Sequence, residues 1–576
     1  VMGLADEFTV EMAETVTGSK NTAAILQTLT EQNAFVKRLP DGVTFRFHHM
    51  MKDCAERTFH TMEPRRQAVY HNRYGEWYKT HGQYLHALKF YCLAKNYDAA
   101  LRVIQRDAGI LLTSLGAQQV LDFIAHCPVE TLKEHPLSLL VLMRSMFTWR
   151  QIPKMLELKE LLLAAITEHP DWPESERGDL LGECDLIMSF LMYNDISAMS
   201  RLHRSASAQM SRPAISIQKS GGWTFGSPSV LMMFYRASGE LQSELTEMDE
   251  CMPHYYRITN GHGLGAELVM AAEASFMQGR LHEAEIGIEC ARTKIAGSGQ
   301  ENMALCCDFL QLRLRLAAGK GRLLDMESRK QPLQVRHDVV LLNMFESILA
   351  YYYALLQEAE KIPDVFRLHR LDTVNYFAPG KPMMELIENQ VYLAQGEFPR
   401  VIGRSEPLLS GCESLHYALV ALHIRLQTAS AYEALGNRAM ARKLLVRALE
   451  DAEPDGFVLP FAENAPYLMN HYSALSRELE TPFAASVCEL SERWLSRQQT
   501  SGSRQEPIEA LRELSESERS VAQLMALRKT NREIAETLFL SEGTVKQYIN
   551  RIYSKLQLTG TAQEKRRALT ALLQKN

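Results

Sequence analysis

Polar side chains able to contact nucleic acid are concentrated near the carboxyl end of the chain, between residues 541 and 556. At helical spacing they are Lys546, Gln547, Asn550, Arg551 and Ser554. Such a face suits the major groove of DNA, because amides and Lys or Arg bind base edges while cations bind phosphates. A short amphipathic helix also presents a polar face to water, so this segment alone is equally compatible with simple solvation.

The apolar residues between these side chains predict the helix that presents them. They recur at spacings of 4, 3 and 4 residues as Val545, Ile549, Ile552 and Leu556. These four form one stripe that must face other helices, which leaves the polar side chains outside. Ser541 precedes the helix, and its hydroxyl can accept a hydrogen bond from a free backbone amide of the first turn.

Two capping boxes predict the helices that support this one. Ser515 is followed three residues later by Glu518, and Thr530 likewise by Glu533. The inward residues of the helix after Thr530 are Ile534, Ala535 and Leu538. This helix would cross the DNA backbone with its amino-terminal end towards the phosphates. The residues predicted to contact phosphate on this basis are Thr530, Asn531 and Arg532, together with Arg551 on the following helix.

The whole pattern resembles the LuxR-type (GerE-like) helix-turn-helix. The matching strings are ESER at 516–519, TNREIAETLFLSEGTVKQYINRIYSKL at 530–556, and the following Leu558. The resemblance implies base contacts by Lys546, Gln547 and Asn550, and phosphate contacts by Asn531, Thr544 and Lys555. The chain departs from the family at Arg528, Tyr548 and Thr561, which stand where a turn glycine, a histidine and an arginine are usual.

Charge and composition limit what the rest of the 576 residues can be. The net charge is −6, yet residues 510–576 carry twelve Lys and Arg against seven Asp and Glu, so basic charge is concentrated in the candidate DNA-binding segment. We expect a cytoplasmic protein, because the longest apolar runs are far shorter than a membrane span and residues 1–20 lack a signal-peptide pattern. No catalytic set, metal-ligand spacing or cofactor motif is present, so we expect neither an enzyme nor a metal or cofactor.

Internal repeats predict the architecture of the middle of the chain. Helix pairs turn over at Gly239, Gly279, Gly319, Gln357, Gly396 and Gly436, at spacings of 40, 40, 38, 39 and 40 residues. This regularity predicts a helical solenoid, although an irregular α-helical domain is the alternative. The pattern resembles the tetratricopeptide repeat with a slightly longer pitch.

A larger family resemblance covers most of the chain. The strings FRFHHMMKDCAE at 45–56, EWYKTHGQYLHALKFYCLAKNYDAA at 76–100 and AEPDGFVLPFAEN at 452–464 resemble the MalT-like large LuxR regulators. In that family an ATPase domain precedes a winged helix, an inducer-sensing superhelix and the DNA-binding domain. No G-x-x-x-x-G-K-[ST] loop is present, so we expect either a truncated chain or a member without the ATPase, and no tight binding or hydrolysis of ATP.

Aromatic residues on two loops are candidates for a ligand site. Trp223 and Phe225 lie among glycines, and Tyr255, Tyr256 and His262 follow about one repeat later. Rings on successive inter-helix loops can line a concave surface. The favoured alternative is that they fill irregular packing between repeats.

These patterns predict an all-α protein: a tetratricopeptide-like solenoid with a C-terminal helix-turn-helix and an N-terminal winged-helix remnant. The predicted domains are a winged-helix-like remnant at 1–65, a sensor solenoid at 66–496, a linker at 497–510 and a DNA-binding domain at 511–576. The predicted function is transcription regulation, by resemblance activation, in which the solenoid senses a small molecule or a protein and controls the helix-turn-helix. The predicted partners are double-stranded DNA, a small-molecule inducer and RNA polymerase, with a dimer or larger assembly on DNA. The alternatives are an interaction scaffold with a docking helix-turn-helix, and an ATP-driven switch that would need a phosphate loop.

Overall fold

The fold is known from a computed structural model. It describes residues 1–32, 35–106, 110–219, 221–319, 330–331, 333, 338–374, 376, 378–502, 514, 516–526, 529–538, 540–556, 558, 561, 565–566 and 569. The predicted all-α class is confirmed, since the described residues form a long series of helices with one small sheet near the amino terminus. Among the described helices, none is both long and apolar enough to cross a membrane.

The amino-terminal segment is a small mixed unit. Its elements are β1 Phe8–Thr9, α1 Val10–Thr17, α2 Thr22–Glu31, β2 Val36–Arg38, β3 Thr44–Phe47 and α3 His49–His60. The strands form an antiparallel sheet in the order β1-β3-β2, with Phe8 opposite Phe45 and Val36 opposite Phe47. The sequence alone predicts a single strand here, at VTFRFH (43–48), because the very short β1 and β2 carry almost no alternating pattern. Tyr74 of the next helix packs into the same core.

Helical hairpins then build a superhelix. Its helices are α4 Pro64–Thr80, α5 Tyr84–Leu93, α6 Tyr97–Ile104, α7 Ile110–Leu115, α8 Ala117–His126, α9 Val129–Lys133, α10 Pro136–Thr148, α11 Ile152–Glu168, α12 Glu174–Ser189, α13 Ile196–Gln209, α14 Leu231–Phe234, α15 Leu241–Ile258, α16 Ala266–Met277, α17 Leu281–Ile295, α18 Glu301–Ala318, α19 Val339–Leu355, α20 Asp364–Arg367, α21 Lys381–Ala394, α22 Phe398–Ser414, α23 Ala418–Ala434, α24 Arg438–Ala452, α25 Leu459–Glu463, α26 Ala465–Leu479 and α27 Pro482–Gly502. Short 3-10 turns lie at Met2–Leu4, Phe190–Met192, Ala359–Lys361, Leu371–Thr373, Ala378–Gly380 and Glu453–Asp455.

The turn residues that marked the repeats share one backbone conformation. The φ angles are 87° at Gly239, 76° at Gly279, 65° at Gly319, 59° at Gln357, 76° at Gly396 and 79° at Gly436. This left-handed region suits glycine, which has no Cβ to clash, and it ends one helix so that the chain can reverse. The second helix begins two residues later at Leu281, Phe398 and Arg438. The positions that mark the repeats in the sequence are therefore turns in the structure.

Two apolar cores run through the superhelix. One core involves helices α5 to α12, and the other extends from α12 to α27. A buried ion pair lies inside the second core, where the Arg313 Nε atom is 2.7 Å from Glu463 Oε1. Tyr351 donates a hydrogen bond of 2.8 Å to the same carboxylate. The Arg313 guanidinium also lies 4.9 Å from the ring centre of Phe276 and 5.2 Å from that of Phe309.

The predicted linker begins too early. Helix α27 continues to Gly502, and Arg497 donates a hydrogen bond to the backbone oxygen of Ala317. Polar composition suggested a linker, but the buried Trp494 anchors this helix to the second core and the helix continues through the polar residues that follow. Residues 503–510 of the predicted linker lie outside the described residues.

Three short helices follow among the described residues of the carboxyl end. They are α28 Glu516–Ala526, α29 Asn531–Leu538 and α30 Glu542–Lys555. Their inward residues form a separate small core that includes Val521, Ile534 and Val545.

Candidate functional site

Helix α30 begins where the sequence predicted. The Ser541 hydroxyl accepts a hydrogen bond of 3.1 Å from the backbone amide of Thr544 and lies 2.8 Å from the Thr544 hydroxyl. The first turn is therefore capped by side-chain oxygen, which satisfies one of the amides that a helix leaves free. Thr544, a predicted phosphate contact, is half-buried at this start.

The apolar stripe of α30 is buried as predicted. Its members are exposed by 0% at Val545, 9% at Ile549, 0% at Ile552 and 8% at Leu556. Helix α30 packs against both α28 and α29, so its rotation about its own axis is set by this stripe. The stripe thereby decides which side chains point outward.

The outward face of α30 carries the predicted DNA-contacting side chains. Those exposed to solvent are Lys546, Gln547, Asn550, Arg551 and Ser554. Within the described part of the chain, none of the first four makes a hydrogen bond or ion pair with the protein. Two cations and two amides therefore keep their full hydrogen-bonding capacity for another molecule. Tyr548, one of the departures from the family pattern, is half-buried against the small core, and Arg528 lies outside the described residues.

The start of α29 has the full predicted capping box. The backbone amide of Thr530 donates a hydrogen bond of 2.7 Å to Glu533 Oε2, and the amide of Glu533 donates one of 3.3 Å to Thr530 Oγ1. The hydrogen bond from the Thr530 amide, followed by one of 2.8 Å from the Thr530 hydroxyl to the same oxygen, lowers the pKa of the Glu533 carboxyl. Arg532 is exposed and lies 3.3 Å from Glu536 one turn on, while Asn531 is half-buried.

Lys555, a predicted phosphate contact, is held within the domain. Its Nζ atom lies 2.7 Å from Glu518 Oε2, whose side chain is buried. Sequence reasoning assigned Glu518 to a capping box with Ser515, and Ser515 lies outside the described residues. The ion pair ties α30 to α28, so part of the Lys555 charge is already neutralised.

A second candidate site is a cavity where the two cores of the superhelix meet. The predicted aromatic residues Trp223, Phe225, Tyr255 and His262 all line it. The cavity volume is about 60 Å³. Methionine side chains complete the wall at Met199, Met233, Met248 and Met252.

Tyr256 does not line the cavity, which corrects the sequence-based prediction for this residue. Its hydroxyl donates to the Glu267 carboxylate and accepts a hydrogen bond of 2.9 Å from the amide of Gly265. The Lys294 ammonium lies 5.3 Å from its ring centre. On a helix, adjacent residues such as Tyr255 and Tyr256 point in different directions, so only one of the two can reach the cavity.

Hydrogen bonds hold the polar groups of the cavity wall in place. The Tyr255 hydroxyl lies 2.7 Å from His262 Nδ1, and His262 Nε2 lies 3.1 Å from the backbone oxygen of Gly221. A carbonyl oxygen only accepts, so Nε2 carries the hydrogen and Nδ1 accepts from Tyr255. Burial lowers the pKa of His262 to about 4, so its ring is neutral at physiological pH.

Gly263 allows the Trp223 ring to pack closely against the turn. Its φ is +71°, and a Cβ at this position would lie 2.4 Å from Trp223 Cδ1. Only glycine satisfies both the backbone conformation and this close approach. Gly263 therefore has a packing role at the cavity.

Arg144 of α10 also lines the cavity, and sequence reasoning missed it. It is half-buried, and its guanidinium donates a hydrogen bond of 2.5 Å to the Thr148 hydroxyl and lies 5.2 Å from the ring centre of Phe190. Among the described residues, no carboxylate forms an ion pair with it. A signal was present in the sequence, since Arg144 is the one charge within the apolar run LSLLVLMRSMF at 137–147.

Comparison with known families agrees with both ends of this architecture. The family model for bacterial regulatory proteins of the luxR family (GerE) matches residues 512–567, and the model for the MalT winged helix domain matches residues 2–67. The chain matches a MalT-like LuxR regulator. Its α28–α30 unit is therefore a LuxR-type DNA-binding helix-turn-helix, the module of a family of transcription regulators. No similar sequence was found among curated proteins.

Proposed function

We propose that this chain regulates transcription by reading duplex DNA with α30 and that its superhelix senses a small molecule that controls this reading. The observation that carries the proposal is the outward face of α30. Lys546, Gln547 and Asn550 are exposed and lack protein partners among the described residues, while the opposite stripe is buried. A docking helix would instead expose apolar side chains to a protein partner.

The exposed side chains divide into two roles in this proposal. Lys546, Gln547 and Asn550 contact base edges, because amides and cations supply the donors and acceptors that distinguish base pairs in the major groove. Arg551 and Arg532 bind phosphates on either side and set the position of the helix on the duplex. Thr530, Asn531 and Thr544 supply shorter polar contacts near the starts of α29 and α30.

One such domain reads a single half-site, so useful affinity requires two copies about one helical turn of DNA apart. We infer that the superhelix controls this assembly. A ligand changes the balance between a competent and an incompetent arrangement only if it binds the two with different affinity. Activation through contact with RNA polymerase follows the family resemblance.

The cavity has a direct connection to later repeats. Tyr193 lines the cavity, and its hydroxyl bonds to that of Tyr417 at the start of α23. Asn194 donates hydrogen bonds of 3.1 Å to the backbone oxygen of Met233 and 3.0 Å to that of His416. A ligand that moves this wall therefore acts on contacts between helices more than 200 residues apart in sequence.

Selection of genomic DNA fragments by the purified full-length chain tests the proposal. We expect a recurrent sequence with two half-sites, protected in footprinting, whose occupancy changes when cell-extract metabolites are added. A fragment from about Gln505 to Asn576, checked for helicity by circular dichroism, should bind the same sequence with less dependence on the extract. No recurrent sequence would contradict DNA reading and favour the scaffold. Identical responses of fragment and full chain would contradict the sensing role.

A further inference from the structure

Arg144 places a positive charge in a cavity whose described lining has no negative one. None of the described residues that line the cavity is an aspartate or a glutamate. The two histidines in its wall are neutral near pH 7, because burial lowers the pKa of His203 to about 3 and that of His262 to about 4. The cavity therefore has one net positive charge, which is located on the Arg144 guanidinium.

This charge is in an unfavourable environment. Burial lowers the pKa of Arg144, and its described protein partners are the Thr148 hydroxyl and the face of the Phe190 ring. A guanidinium has five N–H donors, and a buried cation is usually paired with a carboxylate. The donors that Thr148 does not use remain available on the cavity side.

The other residues that line the cavity indicate what kind of molecule can fill it. Trp223, Phe225 and Tyr255 supply aromatic surface, and the Trp223 ring stacks 5.1 Å from that of Phe234. The methionines add flexible, polarisable surface that adapts to different shapes. The cavity volume is only about 60 Å³, so a small and flat molecule fits better than a bulky one.

We propose that this cavity binds a small organic acid with an aromatic body, whose carboxylate pairs with Arg144. The carboxylate accepts two parallel hydrogen bonds from the guanidinium, a geometry that Arg favours. The aromatic body packs between Trp223 and Tyr255 and displaces water from apolar surface. This inference rests on the proposed sensing function and names the chemical class that is sensed.

Titration calorimetry of the full-length chain with matched pairs of acids and amides tests the proposal. The acids are benzoate, phenylacetate and indole-3-acetate, and each is compared with its neutral amide, which has nearly the same shape. We expect at least one acid to bind with one site per chain and about tenfold or more tighter than its amide. Benzoate and phenylacetate contain no indole ring that would fluoresce itself, so their binding should also be visible as a change in the fluorescence of Trp223.

Three variants separate charge from packing. Arg144→Met removes the charge at similar volume and should weaken binding of the acid about tenfold or more, with a smaller effect on binding of the amide. Arg144→Lys keeps the charge without the planar fork and should retain part of the preference. Arg201→Met is the matched control, because Arg201 is an exposed arginine on α13, which also contributes Met199 to the wall.

The proposal is overturned if no acid of the panel binds, or if acid and amide bind the wild-type chain equally. It is also overturned if Arg144→Met and Arg201→Met have the same effect on the acid. If Arg144→Met fails to fold, the acid–amide comparison on the wild-type chain still decides. DNA affinity of the same preparations, measured by fluorescence anisotropy on a selected fragment, keeps the two hypotheses apart. Intact DNA binding without acid preference rejects only this inference, and absent DNA binding rejects the proposed function.

Discussion

Two arginines of the superhelix lie among aromatic rings, and they differ in one partner. Arg313 is fully buried and forms a two-pronged ion pair with Glu463, with distances of 2.7 and 3.0 Å. Arg144 has the face of Phe190 and the Thr148 hydroxyl, and no carboxylate among the described residues. Arg313 lies in a filled core, whereas Arg144 lies at the wall of a cavity.

The difference separates a structural charge from a binding charge. The charge of a buried cation is compensated by its carboxylate, and removal of either partner leaves the other charge without compensation. A half-buried cation without a carboxylate gains most from an anion that arrives from solution. The two surroundings therefore predict opposite responses to the same substitution.

In the proposed function, the cations of the helix-turn-helix have a third role. Lys546 and Arg551 are exposed, so water and salt screen them until DNA replaces the solvent. Their contribution depends on ionic strength, because binding releases counterions from the duplex. A charge on Arg144 is less accessible to salt, so acid binding in the cavity should vary less with ionic strength than DNA binding does.

The largest expected effect is on stability. Arg313→Met leaves the Glu463 carboxylate buried without its cation and should lower the free energy of unfolding by about 3–5 kcal/mol. Arg144→Met, the matched substitution, should change it by less than about 1 kcal/mol, because only the hydrogen bond to Thr148 and the contact with the Phe190 ring are lost. Urea unfolding followed by circular dichroism measures both. Equal destabilisation by the two variants would remove the distinction between these arginines.

Acid should act on the cavity through His262. Its pKa falls from 6.5 to about 4 on burial, so the unfolded chain takes up this proton below about pH 6.5 and the folded chain only near pH 4. The contribution of the neutral ring to the free energy of unfolding is therefore fully present above pH 6.5 and is lost as the pH falls to 4.

His262→Asn keeps an acceptor for Tyr255 and cannot titrate. It should remove up to about 3 kcal/mol of the acid-induced loss of stability between those two pH values. Thermal unfolding at a series of pH values measures the loss. His282→Asn, at an exposed histidine, is the control and should follow the wild type. The cavity assignment weakens if both variants have the same pH profile.

Charge reversal on α30 should act on DNA binding alone. Lys546→Glu replaces a predicted base contact with a repelled carboxylate and should reduce specific affinity about 100-fold, with helicity unchanged. Lys443→Glu is the control, because Lys443 is an exposed lysine on α24 of the superhelix. A mobility shift on the selected DNA measures both variants. Unchanged affinity of Lys546→Glu would reject α30 as the reading helix.

The smallest effect compares two cations of α30. Arg551→Ala removes an exposed charge and should weaken binding to all DNA sequences and lower the salt dependence by about one phosphate contact. Lys555→Ala should lower the salt dependence less and reduce the thermal stability of the domain, because Lys555 is paired with Glu518. Anisotropy titrations over a range of salt concentrations measure the slopes. A larger slope change for Lys555→Ala would show that this lysine leaves Glu518 to bind phosphate.

Much of the fold and of the reading helix could be predicted from local patterns. The capping box at Thr530 and Glu533 and the cap at Ser541 join residues three positions apart, so their geometry follows from the helix itself. The repeat turns were equally accessible, since each needs one residue able to adopt positive φ at a regular interval. The sequence predicts the rings of Trp223 and Tyr255 as candidates for a ligand site, although it favours a packing role for them.

Long-range partners were not accessible in the same way. Glu518 was assigned to a local cap, yet it pairs with Lys555, 37 residues away. The sequence predicts the same ligand-binding role for Tyr256 as for Tyr255, yet the Tyr256 hydroxyl bonds to Glu267 and the residue does not line the cavity. Arg144 could have been found as an isolated charge in an apolar run, but its sequence does not say whether a carboxylate meets it.

The sequence by itself determined the helices, their turns and the polar face of α30, because these depend on residues within about one helical turn of each other. Only the tertiary structure decided which charges are paired. Glu463 meets Arg313 across 150 positions of the chain, and no described carboxylate reaches Arg144. The physical reason is that the packing of successive hairpins sets which helix faces meet, and that packing sums small contributions from many residues.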